Sequence, residues 1–130
     1  MKGRVVVKTS EFSQRLSVFW RQDGANFEIL LSGALGTSIA RLVSQGGVHY
    51  VDLPGKPRQF SDSPQSLLLE TSGLSLPVNA LLPVLNGAVI NGNFDGWQVD
   101  THVFDDLGRP IEIDVDGYSV LIKLSVTEWL

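Results

Sequence analysis

The stretch that decides the fold runs from Leu16 to Leu31, LSVFWRQDGANFEILL. Leu16, Val18 and Trp20 alternate with Ser17, Phe19 and Arg21; after Asp23-Gly24, Phe27, Ile29 and Leu31 alternate with Asn26, Glu28 and Leu30. Successive side chains of a strand point to opposite faces, and Asp-Gly suits the positive backbone angles of a tight hairpin. The stretch therefore predicts two antiparallel strands with one apolar face.

The same pattern extends outward. Thr37 to Ser44 and Val48 to Leu53 read as a further hairpin around Gln45-Gly46-Gly47. In the last third, Trp97 to Phe104, Ile111 to Val115 and Tyr118 to Val126 read as strands, with turns at Asp105-Asp106-Leu107-Gly108 and Asp116-Gly117. Between these blocks the period changes. Ser63 is a good N-cap and Pro64 suits a first helical position, where its missing N–H costs nothing. Leu67-Leu68-Leu69 follow, and Gly73 can close the helix in a left-handed conformation. A second helix is expected from about Pro77 to Leu85, ended by Asn86-Gly87 and kinked or started late by Pro83. Strands, then helices, then strands give an α+β fold, mostly β: an antiparallel sheet with short helices on one face. No repeat or long linker divides residues 1–130, so one domain is expected.

Composition narrows the function. Hydrophobic residues make up 43% and charged ones 18%, a globular balance. A net charge of -4 without a basic block argues against a nucleic-acid partner. The chain has no cysteine, which excludes disulfides, thiolate metal sites and a cysteine nucleophile. No apolar run reaches the roughly 18 residues of a helical membrane span, and Val5-Val6-Val7 is too short for a signal peptide's apolar region.

No catalytic motif emerges. His49 and His102 both fall in predicted strands, and no nucleophile elbow, zinc-protease, phosphate-loop or dinucleotide pattern accompanies them. Asn91-Gly92-Asn93-Phe94-Asp95-Gly96 copies the first half of a calcium loop. His102 stands where the bidentate glutamate belongs, so the segment reads as a turn. Glu112, Asp114 and Asp116 share one strand face, opposite Ile111, Ile113 and Val115, and read as a solvated row. The sequence thus gives no catalytic residue, metal ligand or cofactor, and an enzyme is not expected.

The apolar features say more. A curved sheet with two short helices over its concave face leaves room for an apolar pocket. Leu35 sits near the tip of the glycine-rich turn Ser32-Gly33-Ala34-Leu35-Gly36-Thr37, where composition alone would fold it back over the sheet edge.

Several segments, in order, resemble the LolB family of outer-membrane lipoprotein localisation factors. Phe19-Trp20-Arg21-Gln22 resembles that family's F-W-x-Q strand. Leu30 to Thr37 is similar to its following strand and P-L-G-S/T loop, with Ala34 in place of proline. Ser63-Pro64 through Leu69, then Gly73-Leu74-Ser75-Leu76-Pro77-Val78, resemble its helix and G-x-x-L-P-[VI] segment. Gly87 ends the second helix as in the family, and Gly96-Trp97-Gln98-Val99 is similar to the next strand.

The resemblance implies an incomplete, half β-barrel with helices as a lid over a hydrophobic cavity. It implies a receptor on the periplasmic side of the outer membrane. Such a receptor takes acylated lipoproteins from the periplasmic carrier LolA and delivers them to the membrane's inner leaflet. Leu35, with Ala34, Gly33 and Gly36, would form the membrane-insertion loop, reversing the composition-based expectation for Leu35. The acyl-chain pocket is expected from Leu16, Val18, Trp20, Phe27, Ile29, Leu31, Leu81 and Leu85. Without the family's signal peptide and acylated N-terminal cysteine, the chain is expected to be the soluble mature part. The alternatives are a periplasmic carrier of another hydrophobic ligand on the same fold, and an interaction module with a filled core.

Overall fold

The computed structural model describes residues 1–33, 37–64, 77–85 and 91–129. Among these residues ten strands form one antiparallel sheet: β1 (Lys2–Lys8), β2 (Ser13–Asp23), β3 (Asn26–Ser32), β4 (Ser38–Gln45), β5 (Val48–Asp52), β6 (Gln59–Ser61), β7 (Gly92–Phe94), β8 (Trp97–Phe104), β9 (Pro110–Gly117) and β10 (Val120–Glu128). Among the described residues a helix, α1 (Val78–Leu85), precedes β7. The sheet order is β6-β5-β4-β3-β2-β1-β10-β9-β8-β7, so the first and last strands pair at its centre. The edges, β6 and β7, are three residues each and do not pair with each other among the described residues. The result is an open, barrel-like antiparallel sheet.

The hairpins follow from local chemistry. Asp23 pairs with Asn26, leaving Gly24-Ala25 as a two-residue loop with Gly24 at φ 61°. Gly46 and Gly47 both take positive φ between β4 and β5, the backbone twist that matches twisted strands. At the β9–β10 turn the residues with positive φ are Tyr118 and Ser119, neither of them glycine.

The strand pattern buries one face. In β2 the buried residues are Leu16, Val18 and Trp20; in β3 they are Phe27, Ile29 and Leu31. Val5 and Val7 of β1, Ile122 and Leu124 of β10, Ile113 and Val115 of β9, and Trp97 and Val99 of β8 continue this inner face. The connection from β6 to β7 leads from one sheet edge to the other and contains α1. Val78, Ala80, Leu81 and Val84 of α1 are buried in the same apolar cluster as the inner-face residues. The helix therefore packs by its apolar positions rather than by intrinsic stability, as an eight-residue helix containing Pro83 must.

Several sequence expectations are corrected. The strand expected from Tyr118 begins at Val120, and the turn expected at Asp116-Gly117 lies two residues later, at Tyr118-Ser119. Gly117 is small for another reason: a Cβ there would stand 2.7 Å from the Gly96 carbonyl oxygen. Strands β1, β6 and β7 were not expected at all. The first expected helix falls, from residue 65 onward, outside the described residues.

Candidate functional site

Seven of the eight residues expected to contact acyl chains have described side chains, and all seven lie on the inner side. Val18 pairs with Leu31 and Trp20 with Ile29 across β2 and β3. The rings of Trp20 and Phe27 sit 5.9 Å apart and tilted. Leu16, Val18, Trp20, Phe27, Ile29 and Leu31 are 0–6% exposed, and Leu81 of α1 is 1% exposed within the same cluster. Leu85 ends α1, and its side chain lies outside what the structure describes. Sequence reasoning missed the other half of this face. Val5, Val7, Leu42, Val51, Ile122 and Leu124 are equally buried, and the alternation of Ile122 and Leu124 with Lys123 was the signal that could have found two of them.

Few polar groups enter the inner side. Ser44 Oγ and His49 Nδ1 lie 2.7 Å apart on the paired strands β4 and β5. Asn91 Oδ1 accepts from the Thr101 backbone N–H at 2.8 Å and from its hydroxyl at 3.1 Å. Gly96 N–H donates to Asn93 Oδ1 at 3.2 Å. The asparagine oxygens of the calcium-like segment are thus engaged in shaping the β7–β8 hairpin. Among the described residues no carboxylate lies within ion-pair distance of His49, so Ser44-His49 lacks the acid of a triad.

The outer face is charged. Arg41 bridges Glu28 at 2.6 Å and Asp52 at 3.3 Å, and Arg58 reaches Asp52 at 2.8 Å. These contacts tie β3, β4, β5 and the loop before β6. The Arg58 guanidinium, hydrogen-bonded to Asp52, holds that carboxyl below its ordinary range, with Arg41 adding to the effect. On the other half, Glu112, Asp114 and Asp116 line one face of β9, as the alternation requires. His102 Nε2 stands 3.5 Å from Glu112, and its Nδ1 3.9 Å from both Asp100 and Asp114. This group faces solvent rather than a cleft.

The glycine-rich loop begins after β3. Gly33 N–H donates to the Thr37 carbonyl at 2.8 Å, closing its base; Ala34, Leu35 and Gly36 lie outside the described residues. Strand directions put this loop at the same end of the sheet as the turn carrying Phe12, 51% exposed, and the turn carrying Tyr118, 70% exposed.

An open antiparallel sheet whose apolar inner face shares one buried cluster with a short helix defines a class: open-barrel proteins with an interior built from hydrocarbon side chains. Comparison with known proteins narrows it. The family model described as outer membrane lipoprotein LolB matches residues 1–120, and this chain belongs to that family. Proteins named outer-membrane lipoprotein LolB are similar to it over nearly its whole length. The one from Psychromonas ingrahamii is 24% identical, covering 100% of this chain and 74% of its own. The one from Pseudomonas fluorescens is 28% identical, covering 100% and 73%. The one from Pseudomonas aeruginosa is 27% identical, covering 98% and 71%.

Proposed function

We propose that this chain is a single-domain lipoprotein receptor on the periplasmic side of the outer membrane. It accepts acylated lipoproteins from LolA, shelters their acyl chains between the inner sheet face and α1, and releases them into the inner leaflet. The supporting observation is the gathering of Leu16, Val18, Trp20, Phe27, Ile29, Leu31 and Leu81 into one helix-and-sheet cluster, in a member of this family.

The helix is the element that gives way. It is short, carries Pro83, and meets the sheet through Val78, Leu81 and Val84. Acyl chains entering beneath it exchange one apolar contact for another, so opening costs less than exposing the cluster to water. Each methylene sheltered contributes about 0.8 kcal/mol, and partial burial of several chains holds a lipoprotein without polar contacts. The helices together act as a lid, and Gly33, Ala34, Leu35 and Gly36 form the loop that enters the membrane.

The test is a transfer assay in which acylated lipoprotein bound to LolA is mixed with this protein. Appearance of the lipoprotein on this chain is the expected result. No transfer to a folded chain would sink the receptor reading and leave a carrier of another apolar ligand.

A further inference from the structure

Among the described residues, two buried side-chain polar atoms have no hydrogen-bond partner: Trp20 Nε1 and Gln22 Oε1. Both belong to β2 and, being two residues apart, to the same face, the inner one. A buried N–H without an acceptor is rare, because the group has given up water and gained nothing in return. The surroundings of Trp20 explain its isolation: its cross-strand partner is Ile29, and the ring nearest to it is Phe27. Phenylalanine would fill much of the same space with no orphaned donor.

We propose that the Trp20 indole N–H receives the carbonyl oxygen at the head of a bound acyl chain. This rests on the acyl-binding reading above and deepens it. Indole nitrogen only donates, so its partner must accept. A bare hydrocarbon offers no acceptor, and an ester or amide carbonyl offers a strong one at the chain's first carbon. Gln22, whose backbone lies about 7 Å further along the strand, carries the second unpartnered atom, an Oε1 that can accept an amide N–H of an acylated head. Its Nε2 is turned to the Gly24 carbonyl, 3.4 Å away.

The arrangement also sets a direction. Along β2 the inner face runs Leu16, Val18, Trp20, Gln22, from apolar to polar. The chain's tail then lies toward Leu16, the end of the sheet that carries the Gly33–Thr37 loop, and its head toward the β2–β3 turn.

The experiment compares short-chain diacyl phosphatidylcholine with its dialkyl ether, which has the same chains but no carbonyls, and adds a synthetic triacylated lipopeptide. Binding of each is measured by calorimetry to the native protein and to Trp20→Phe. The native protein is expected to prefer ester over ether about tenfold, equivalent to about 1.4 kcal/mol. Trp20→Phe is expected to bind the two alike. Each ratio is taken within one protein, so a general loss of packing cancels. Loss of the ester preference in Trp20→Phe upholds the donor; a parallel loss with the lipopeptide then assigns the carbonyl to a lipoprotein, and undiminished lipopeptide binding assigns it to a membrane lipid. An ester-to-ether ratio unchanged by Trp20→Phe overturns the proposal while leaving the acyl site standing. Failure of the native protein to bind any of the three overturns both.

Discussion

Arg41 holds Glu28 through two hydrogen bonds to a single carboxylate oxygen, Nη2 to Oε2 at 2.6 Å and Nε to Oε2 at 3.1 Å. Glu28 is the less exposed partner, its side chain 19% accessible, so removing Arg41 leaves a half-buried carboxylate with only Arg21 at 3.7 Å. Arg41→Ala is expected to lower unfolding stability by roughly 1 kcal/mol, the upper end for a partly exposed pair. Urea unfolding checks it, and Glu28→Gln should recover part of the loss by removing the stranded charge. No recovery would mean the arginine acts through packing alone.

The same network carries a pH dependence. The carboxyl of Asp52 titrates below its ordinary value in the folded protein, chiefly through its hydrogen bond with Arg58. A depressed folded-state pKa contributes stability above the unfolded value, near 3.8, and that contribution is lost as pH falls through the folded value. The stability difference between the native protein and Asp52→Asn is therefore expected to be steady at neutral pH and to shrink below about 4. Denaturant titrations at a series of pH values measure it. A difference that stays constant into the acid range would contradict the assignment.

Gly117 is expected to differ from Gly108 when substituted. A Cβ on Gly117 meets the Gly96 carbonyl oxygen at 2.7 Å and Trp97 Cε3 at 3.1 Å, and neither can move without opening the β7–β8 turn. Gly117→Ala should cost about 1–3 kcal/mol by overpacking. Gly108 sits in open space at φ 76°, so Gly108→Ala should cost only the backbone penalty of about 1 kcal/mol. Equal thermal shifts in the two variants would refute the close-approach argument.

That glycine also marks where the sequence misleads. Asp116-Gly117 carries the composition of a turn, yet Gly117 ends β9 and the reversal falls on Tyr118-Ser119. Tyr118 holds φ 51° because its hydroxyl donates to the Asp95 carbonyl at 2.6 Å and its ring packs 5.3 Å from Trp97, contacts made by a distant hairpin. Local propensity has no access to such partners. The pair β2 and β3 was legible because Leu16 to Leu31 alternates strictly on one buried face. Strand β1 was hidden by three consecutive valines: Val5 and Val7 are buried and Val6 half-buried, so no period shows. Strands β6 and β7 have three residues each, too few for any period. At the candidate site the inner-face residues of β2 and β3 followed from the same alternation. The unpartnered Trp20 N–H did not, since satisfaction depends on neighbours brought by the fold.

Leu42 offers a test of the core at a position outside the expected acyl contacts, next to Ile29. It is 1% exposed on β4, opposite Ile29 and Val51, and part of the continuous inner cluster. Leu42→Ala should lose about 2–5 kcal/mol, combining lost transfer energy with the cavity left between three strands. Calorimetric or urea unfolding reads it directly. A loss under about 1 kcal/mol would show that the cluster collapses around the gap and is looser than its burial suggests.

The loop reading of Leu35 predicts that uptake and delivery can be separated. Its loop springs from a base closed by the Gly33–Thr37 hydrogen bond, at the sheet end that also presents Phe12 and Tyr118. Burying one leucine in a bilayer contributes roughly 1.5–3 kcal/mol, enough to bias insertion and too little to anchor the protein. Leu35→Glu replaces that gain with a carboxylate that resists leaving water, while no inner-face residue changes. The variant is expected to fold normally and accept lipoprotein from LolA as the native protein does. Its release of lipoprotein to vesicles, followed by co-sedimentation, should fall at least tenfold. Delivery at the native rate would remove Leu35 from the mechanism, whereas loss of both uptake and delivery would place the loop at the entrance to the acyl site.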